Sequence, residues 1–312
     1  MRGIFALQLN TCTTLSPIRL AAIELDNAIS TMKRSLILAC LVSLSLFAPS
    51  VSAKSHYFKS SDGVNLHYLD SGTGTLTLVF IPGWLMPATI FDAQIADLSK
   101  NYRVIALDPR GQGLSSVAHN KLDAVRRARD IQELLHHANV HDHVLIGWSL
   151  GVMEVLDYTV RYKHPNLRGL VLIDNSIGMA TPPSSALNSQ RPMQAPAFRA
   201  YMKRFAAGMF KQPPPDGMLA QIEKSATQLP PKDSWNLLNK PYDRSYYKNA
   251  VMMADVPVWY AVTPKFAAQS AELLQTHAQA SSSVFDNAGH ALFVDNANLF
   301  NQRLRLFLSS LP

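Results

Sequence analysis

Residues 147–151 read Gly-Trp-Ser-Leu-Gly, and they follow the short apolar run Val144-Leu-Ile146 and precede a helix-forming stretch from Val152 to Tyr162. The order is strand, sharp turn, helix. A serine on such a turn is lifted clear of the sheet, and the flanking glycines remove side chains that would collide with the neighbouring strand and helix. Ser149 would then stand at a helix N-terminus, where unpaired main-chain N–H groups favour developing negative charge, and the N–H of Leu150 is the first of them. A serine hydroxyl is a weak nucleophile at its own pKa, so a base must take its proton during attack. The chain offers ten histidines for that task. A second N–H aimed at the same oxygen would complete a site for acyl transfer.

The elements that must carry these residues alternate. A two-stranded start (56–59 and 64–69) turns at Asp62-Gly63, and Leu76 to Ile81 is a continuous apolar run that ends at Pro82-Gly83-Trp84. Periodicity predicts a helix over 89–99, a buried strand over 102–107, a helix over 122–138, the strand 143–146 that feeds the serine, and another strand over 167–173. Strands alternating with helices imply right-handed crossovers and a mostly parallel sheet. From 176 to 254 the alternation stops and prolines punctuate short helical pieces. Phe198, Tyr201, Met202, Phe205 and Met209 recur there at helical spacing as one apolar stripe. The pattern resumes with a strand over 256–262, a helix over 265–278, a strand over 283–285 and a closing helix over 298–308.

Composition narrows the class. The 312 residues are 47% hydrophobic, enough for a full core, and the net charge of +7 comes without a basic run. A solvated basic surface is therefore expected and nucleic-acid binding is not. Met32-Lys33-Arg34, the apolar run Leu36 to Phe47 and the small residues before Ala53 have the form of a signal peptide, too short in its apolar part to span a bilayer. Residues 1–31 then read as an overextended translation start and 32–53 as the leader. Both cysteines, Cys12 and Cys40, fall in that segment. A periplasmic or secreted protein without thiols, and without stable membrane insertion after leader removal, is the expectation.

Three landmarks fall in order: Pro82-Gly83-Trp84 after one strand, Asp108-x-Arg-Gly-x-Gly-x-Ser115 after the next, and Gly147-x-Ser-x-Gly151 after the third. Gly289-His290 lies near the C-terminus. The combination resembles the α/β-hydrolase superfamily over about 55–311. That resemblance implies an α/β fold with a mostly parallel eight-stranded sheet flanked by helices, a main domain at 54–175 and 255–312, and a helical cap at 176–254 inserted after the sixth strand.

The resemblance also assigns residues. His290, on the loop after the last strand, is the implied general base for Ser149, and the main-chain N–H groups of Trp84 and Leu150 are the implied oxyanion hole. Relatives often carry His-Gly at the first of these loops, whereas Pro82-Gly83 keeps only the glycine. Most relatives place the acid after the penultimate strand, but Ala261-Val-Thr-Pro-Lys-Phe-Ala-Ala-Gln-Ser270 contains no carboxylate. Asp174, at the end of the sixth strand as in some members, is the expected acid; the alternative is a Ser-His pair assisted by water or by an amide such as Asn175. Asp286 and Asp295 are near His290 in sequence, but that nearness does not aim a carboxylate at a ring nitrogen. Arg110, Gly111 and Gly113 read as a structural turn, and His136, His137, His141 and His143 as solvated surface histidines rather than metal ligands. No metal or other cofactor is required.

The implied activity is cleavage of a small-molecule carboxylic ester with an apolar acyl or alcohol group. Cofactor-free haloperoxidase, perhydrolase and C–C hydrolase relatives share the same side chains. A ligand-binding protein that keeps the fold without turnover is the alternative from another class.

Overall fold

The computed structural model describes residues 53–118, 121–162, 165–180, 191–239 and 242–312. The leader and translation-start readings, apart from Ala53, lie outside them. Eight strands form one sheet: β1 (Lys54–Lys59), β2 (Asn65–Ser71), β3 (Thr77–Ile81), β4 (Arg103–Asp108), β5 (His143–Trp148), β6 (Leu167–Ile173), β7 (Val258–Val262) and β8 (Ala280–Val284). Their order is β1-β2-β4-β3-β5-β6-β7-β8. β2 pairs antiparallel with β1 and β4, and every other pairing is parallel. The residues of β3, β5 and β7 are all buried, as continuous apolar runs in a sheet covered on both faces require.

The covering helices are α1 (Asp92–Leu98), α2 (Ala124–His137), α3 (Leu150–Arg161), α4 (Ala195–Ala207), α5 (Met218–Ala226), α6 (Pro231–Asn236), α7 (Arg244–Met252), α8 (Ala267–Thr276), α9 (Leu292–Asp295) and α10 (Ala297–Ser309). A 3₁₀ turn, Ala88–Phe91, leads into α1. Asp123 accepts a hydrogen bond from Arg126 N–H, and this cap starts α2 at 124 instead of the expected 122. One core, on the face carrying α1 and α10, also takes in the apolar residues of α4, α5 and α6. The second lies on the face of α2, α3 and α8, and α7 joins it through Tyr247, Ala250 and Val251, packed against α3. The helices between β6 and β7 thus go to both sides of the sheet.

Two expectations need correction. The last strand runs over Ala280–Val284 and not 283–285, because three consecutive serines form an edge strand that has no apolar signature. His143 is not a surface residue. It begins β5, is fully buried, and its Nδ1 lies 2.7 Å from the His141 carbonyl oxygen.

The turn after β4 is held by charge. Arg110 is fully buried and forks onto Asp130 at 2.6 and 2.7 Å, with Asp62 at 3.1 and 3.2 Å; Arg126 adds two further bonds to Asp130, at 2.7 and 3.1 Å. Burial acts to raise the Asp62 pKa, but hydrogen bonds from Arg110 and Ser60 and the nearby guanidinium charges outweigh it and hold the carboxyl well below the usual range. A depressed folded-state pKa means a stability contribution that is complete above the unfolded value of about 4 and is lost as pH falls below it. Arg110→Ala, which leaves Asp130 buried without its main partner, is expected to cost about 3–5 kcal/mol in urea unfolding at neutral pH. The loss of stability between about pH 4 and pH 2 should be shallower in Asp62→Asn than in the natural chain.

Candidate active site

The serine turn is strained and tightly enclosed. Ser149 has φ 55° and ψ −117°. A β-carbon at Gly147 would lie 2.4 Å from the Gly151 carbonyl oxygen, and one at Gly151 would lie 2.3 Å from the Ile81 carbonyl oxygen. Only glycine fits at either position. Ser149 N–H donates to the Ile173 carbonyl at 3.0 Å, and its own carbonyl accepts from Asn175 Nδ2 at 2.7 Å and from Val152 N–H at 3.0 Å. These bonds offset a conformation that a non-glycine residue seldom adopts.

The loop after β8 brings His290 onto the serine. His290 Nε2 lies 2.9 Å from Ser149 Oγ, and Nδ1 lies 2.8 Å from Asp174 Oδ2. A carboxylate oxygen only accepts, so Nδ1 carries the hydrogen and Nε2 is left to accept from the hydroxyl. The side chain of Trp148, which precedes the serine, donates from Nε1 to the His290 carbonyl at 2.9 Å, and the two rings lie 5.2 Å apart.

Asp174 follows β6 with φ 45°, a left-handed conformation that aspartate tolerates better than most residues. Its N–H continues the β6–β7 ladder by donating to Ala261 at 2.9 Å, which fixes where the side chain starts. Oδ1 accepts from both N–H and Oγ1 of Thr263, each at 2.7 Å, which leaves Oδ2 for the histidine. The carboxylate is only 2% exposed, so those donors replace water. Thr263 stands in the loop where relatives keep their acid. A threonine directly after β7, the strand beside β6, was the available signal, and sequence reasoning passed over it.

The Gly83–Met86 loop covers the serine from the other side. A β-carbon at Gly83 would lie 3.0 Å from Ser149 Cβ. Gln112, between the two glycines of the Arg-Gly-x-Gly turn, accepts from Leu85 N–H at 2.8 Å and donates to Met86 O at 3.1 Å and Gly83 O at 3.3 Å. Ser225 Oγ on α5 donates to Leu85 O at 2.8 Å. Trp84 donates from Nε1 to the Ser234 carbonyl at 2.7 Å, and its ring packs on Phe205 and Trp235. The loop therefore gets its rigidity from Gln112, Ser225 and the Trp84 indole rather than from the absent histidine. The Leu150 N–H, first in α3, has no intrahelical acceptor.

The structure brings Ser149, His290 and Asp174 together; Leu150 follows the serine in the chain, and Gly83, the residue before Trp84, lies against it. Asn175 instead grips the serine main chain, and Asp174, not Asp286, is the carboxylate at His290 Nδ1. Among the described residues, no group of three or more His, Cys, Asp or Glu is placed to hold a metal ion.

Residues 77–265 match the family model described as alpha/beta hydrolase fold. A bifunctional esterase/perhydrolase from Acinetobacter calcoaceticus is 30% identical over 44% of this chain and 48% of its own length. A non-heme chloroperoxidase from Streptomyces lividans is 28% identical over 80% of this chain and 98% of its own. Several of the curated relatives are matched over only about half of their length. Among solved structures, the esterase RhEst1 from Rhodococcus sp. ECU1013 superposes with a TM-score of 0.68 at 22% identity, covering 84% of this chain and 100% of that one.

The Thr263 contacts can be tested directly. Thr263→Val keeps the shape and the main-chain donor but removes the hydroxyl, and is expected to cost about 1.5–3 kcal/mol in urea unfolding, the usual worth of a hydrogen bond to a charged group. Thr263→Ser should recover most of that loss.

Proposed function

Because the chain belongs to the alpha/beta hydrolase fold family, we propose that it is an exported serine hydrolase that cleaves carboxylic esters through Ser149, His290 and Asp174. The observation that carries this reading is the continuous path from Asp174 Oδ2 through the imidazole to Ser149 Oγ, with steps of 2.8 and 2.9 Å. In the acylation step His290 Nε2 takes the hydroxyl proton as Oγ bonds to the ester carbonyl carbon. Asp174, held by Thr263, keeps the ring in the correct tautomer and stabilises the imidazolium. The tetrahedral oxygen receives hydrogen bonds from the Trp84 and Leu150 N–H groups. Collapse expels the alcohol, which takes the proton from His290, and leaves an acyl-enzyme. Water then attacks with His290 as base, and the acid leaves as the proton returns to Ser149.

The surroundings favour an apolar acyl or alcohol group. Leu150, Tyr201, Phe205, Phe210 and Met218 are partly buried against the core that also contains Trp84 and Trp148, so apolar surface from the inserted helices lies on the same side as the serine. The signal-peptide form of residues 32–53 supports a periplasmic or secreted location. A second reading draws on the esterase/perhydrolase and chloroperoxidase relatives. Hydrogen peroxide in place of water would attack the same acyl-enzyme, giving a peracid and free Ser149.

A fluorophosphonate should label the protein beginning at Lys54 on Ser149, and Ser149→Ala should abolish both labelling and turnover of p-nitrophenyl esters. Asp174→Asn should lower kcat by about 10⁴-fold, as loss of a triad acid does elsewhere. A kcat within about threefold of the natural chain would remove Asp174 from the mechanism, because the effect is then far below that scale. Folded protein that takes up no label would favour a ligand-binding role instead.

A further inference from the structure

Three main-chain groups flanking the imidazole are tied down. Gly289 N–H donates to Asp295 Oδ2 at 2.7 Å, the His290 carbonyl accepts from Trp148 at 2.9 Å, and Ala291 N–H donates to the Met209 carbonyl at 3.0 Å. Met209 belongs to the segment joining α4 to α5. The same segment returns to Asp295, whose Oδ2 also accepts from Lys211 N–H at 2.9 Å and whose Oδ1 accepts from Gln212 N–H at 3.1 Å. One carboxylate thus gathers three main-chain donors, two of them more than eighty residues away in the chain. A side chain that merely terminated α9 would be satisfied locally and would not reach the α4–α5 segment.

We propose that Asp295 is a positioning residue for His290, fastening the histidine loop and the α4–α5 segment to each other so that the imidazole reaches Asp174 and Ser149 at hydrogen-bonding distance. The assignment rests on the serine hydrolase reading above for its kinetic consequence but not for its structural one. A charged acceptor is well suited to the task. Bonds from N–H to carboxylate are stronger than neutral ones, and both oxygens are used without any donor of their own to be satisfied. An amide at this position would turn an NH₂ group toward main-chain N–H donors.

The test compares Asp295→Ala and Asp295→Asn with Asp286→Asn, a neighbouring exposed carboxylate whose side chain makes none of these contacts. Steady-state kinetics on p-nitrophenyl acetate are read beside the downfield proton resonance of the Nδ1–H shared by His290 and Asp174. Asp295→Ala is expected to lower kcat by about 10- to 100-fold, the scale of a small misplacement of a reacting group, while KM stays within about threefold. Its downfield resonance should broaden or vanish at a temperature where circular dichroism shows a folded chain. Asp295→Asn should fall between Ala and the natural residue, and Asp286→Asn should match the natural chain.

The proposal is overturned if both Asp295 variants keep their kcat and the resonance, or if activity falls only in proportion to the unfolded fraction. Should the natural protein show no esterase turnover at all, the hydrolase reading fails, while loss of the resonance in Asp295→Ala would still establish the positioning role. If the Ala variant does not fold, the Asn variant decides by the same two readouts.

Discussion

Where the serine turn crosses the end of β3, the main chain at Gly151 passes so close to Ile81 that a β-carbon would sit 2.3 Å from its carbonyl oxygen. That crossing, together with the Ser149 N–H bond to Ile173 on the opposite side, fixes the serine between β3 and β6. The parallel pairing of β3, β5, β6 and β7 then determines everything within reach. β3 leads into the loop that carries Trp84, β6 into Asp174 and β7 into Thr263, all at the carboxyl-terminal ends of these parallel strands. The contacts on both sides of the turn hold Ser149 at a positive φ that a non-glycine residue seldom adopts.

The inserted segment between β6 and β7 serves this arrangement in more than one way. Ser225 on α5 and the Ser234 carbonyl on α6 hold the Trp84 loop, and the stretch after α4 holds the His290 loop. The apolar stripe on α4 packs with Trp84 and Trp235 as part of the first core. The two loops flanking the serine therefore depend on contacts made far outside the landmark motifs. A substitution in α5 or α6 can act on the site without touching a substrate.

How much of this was legible in the sequence depended on the kind of interaction. The sheet and its crossovers followed from apolar runs and turns, and Ser149 was marked by glycines whose absence of side chain is itself the signal. Asp174 was legible because a single carboxylate ends a buried strand. Thr263, Gln112 and Asp295 were not marked as site residues, since each acts through hydrogen bonds to partners distant in sequence and has a residue type common in ordinary turns. β8 was misplaced for a related reason: a serine-rich edge strand is defined by its pairing with β7 and not by hydropathy. His143 was misjudged because its Nδ1 finds an acceptor two residues away, the His141 carbonyl, a contact that hydropathy does not register.

In the proposed reaction an acyl carbon bonds to Ser149 Oγ with its oxygen turned toward the Trp84 and Leu150 N–H groups. A crystal structure of the protein after reaction with a small alkyl fluorophosphonate tests it most directly. The expected adduct has phosphorus bonded to Ser149 Oγ and one phosphonyl oxygen about 3 Å from both Trp84 N and Leu150 N. An adduct on another residue, or a phosphonyl oxygen on Ser149 directed away from both N–H groups, would contradict it.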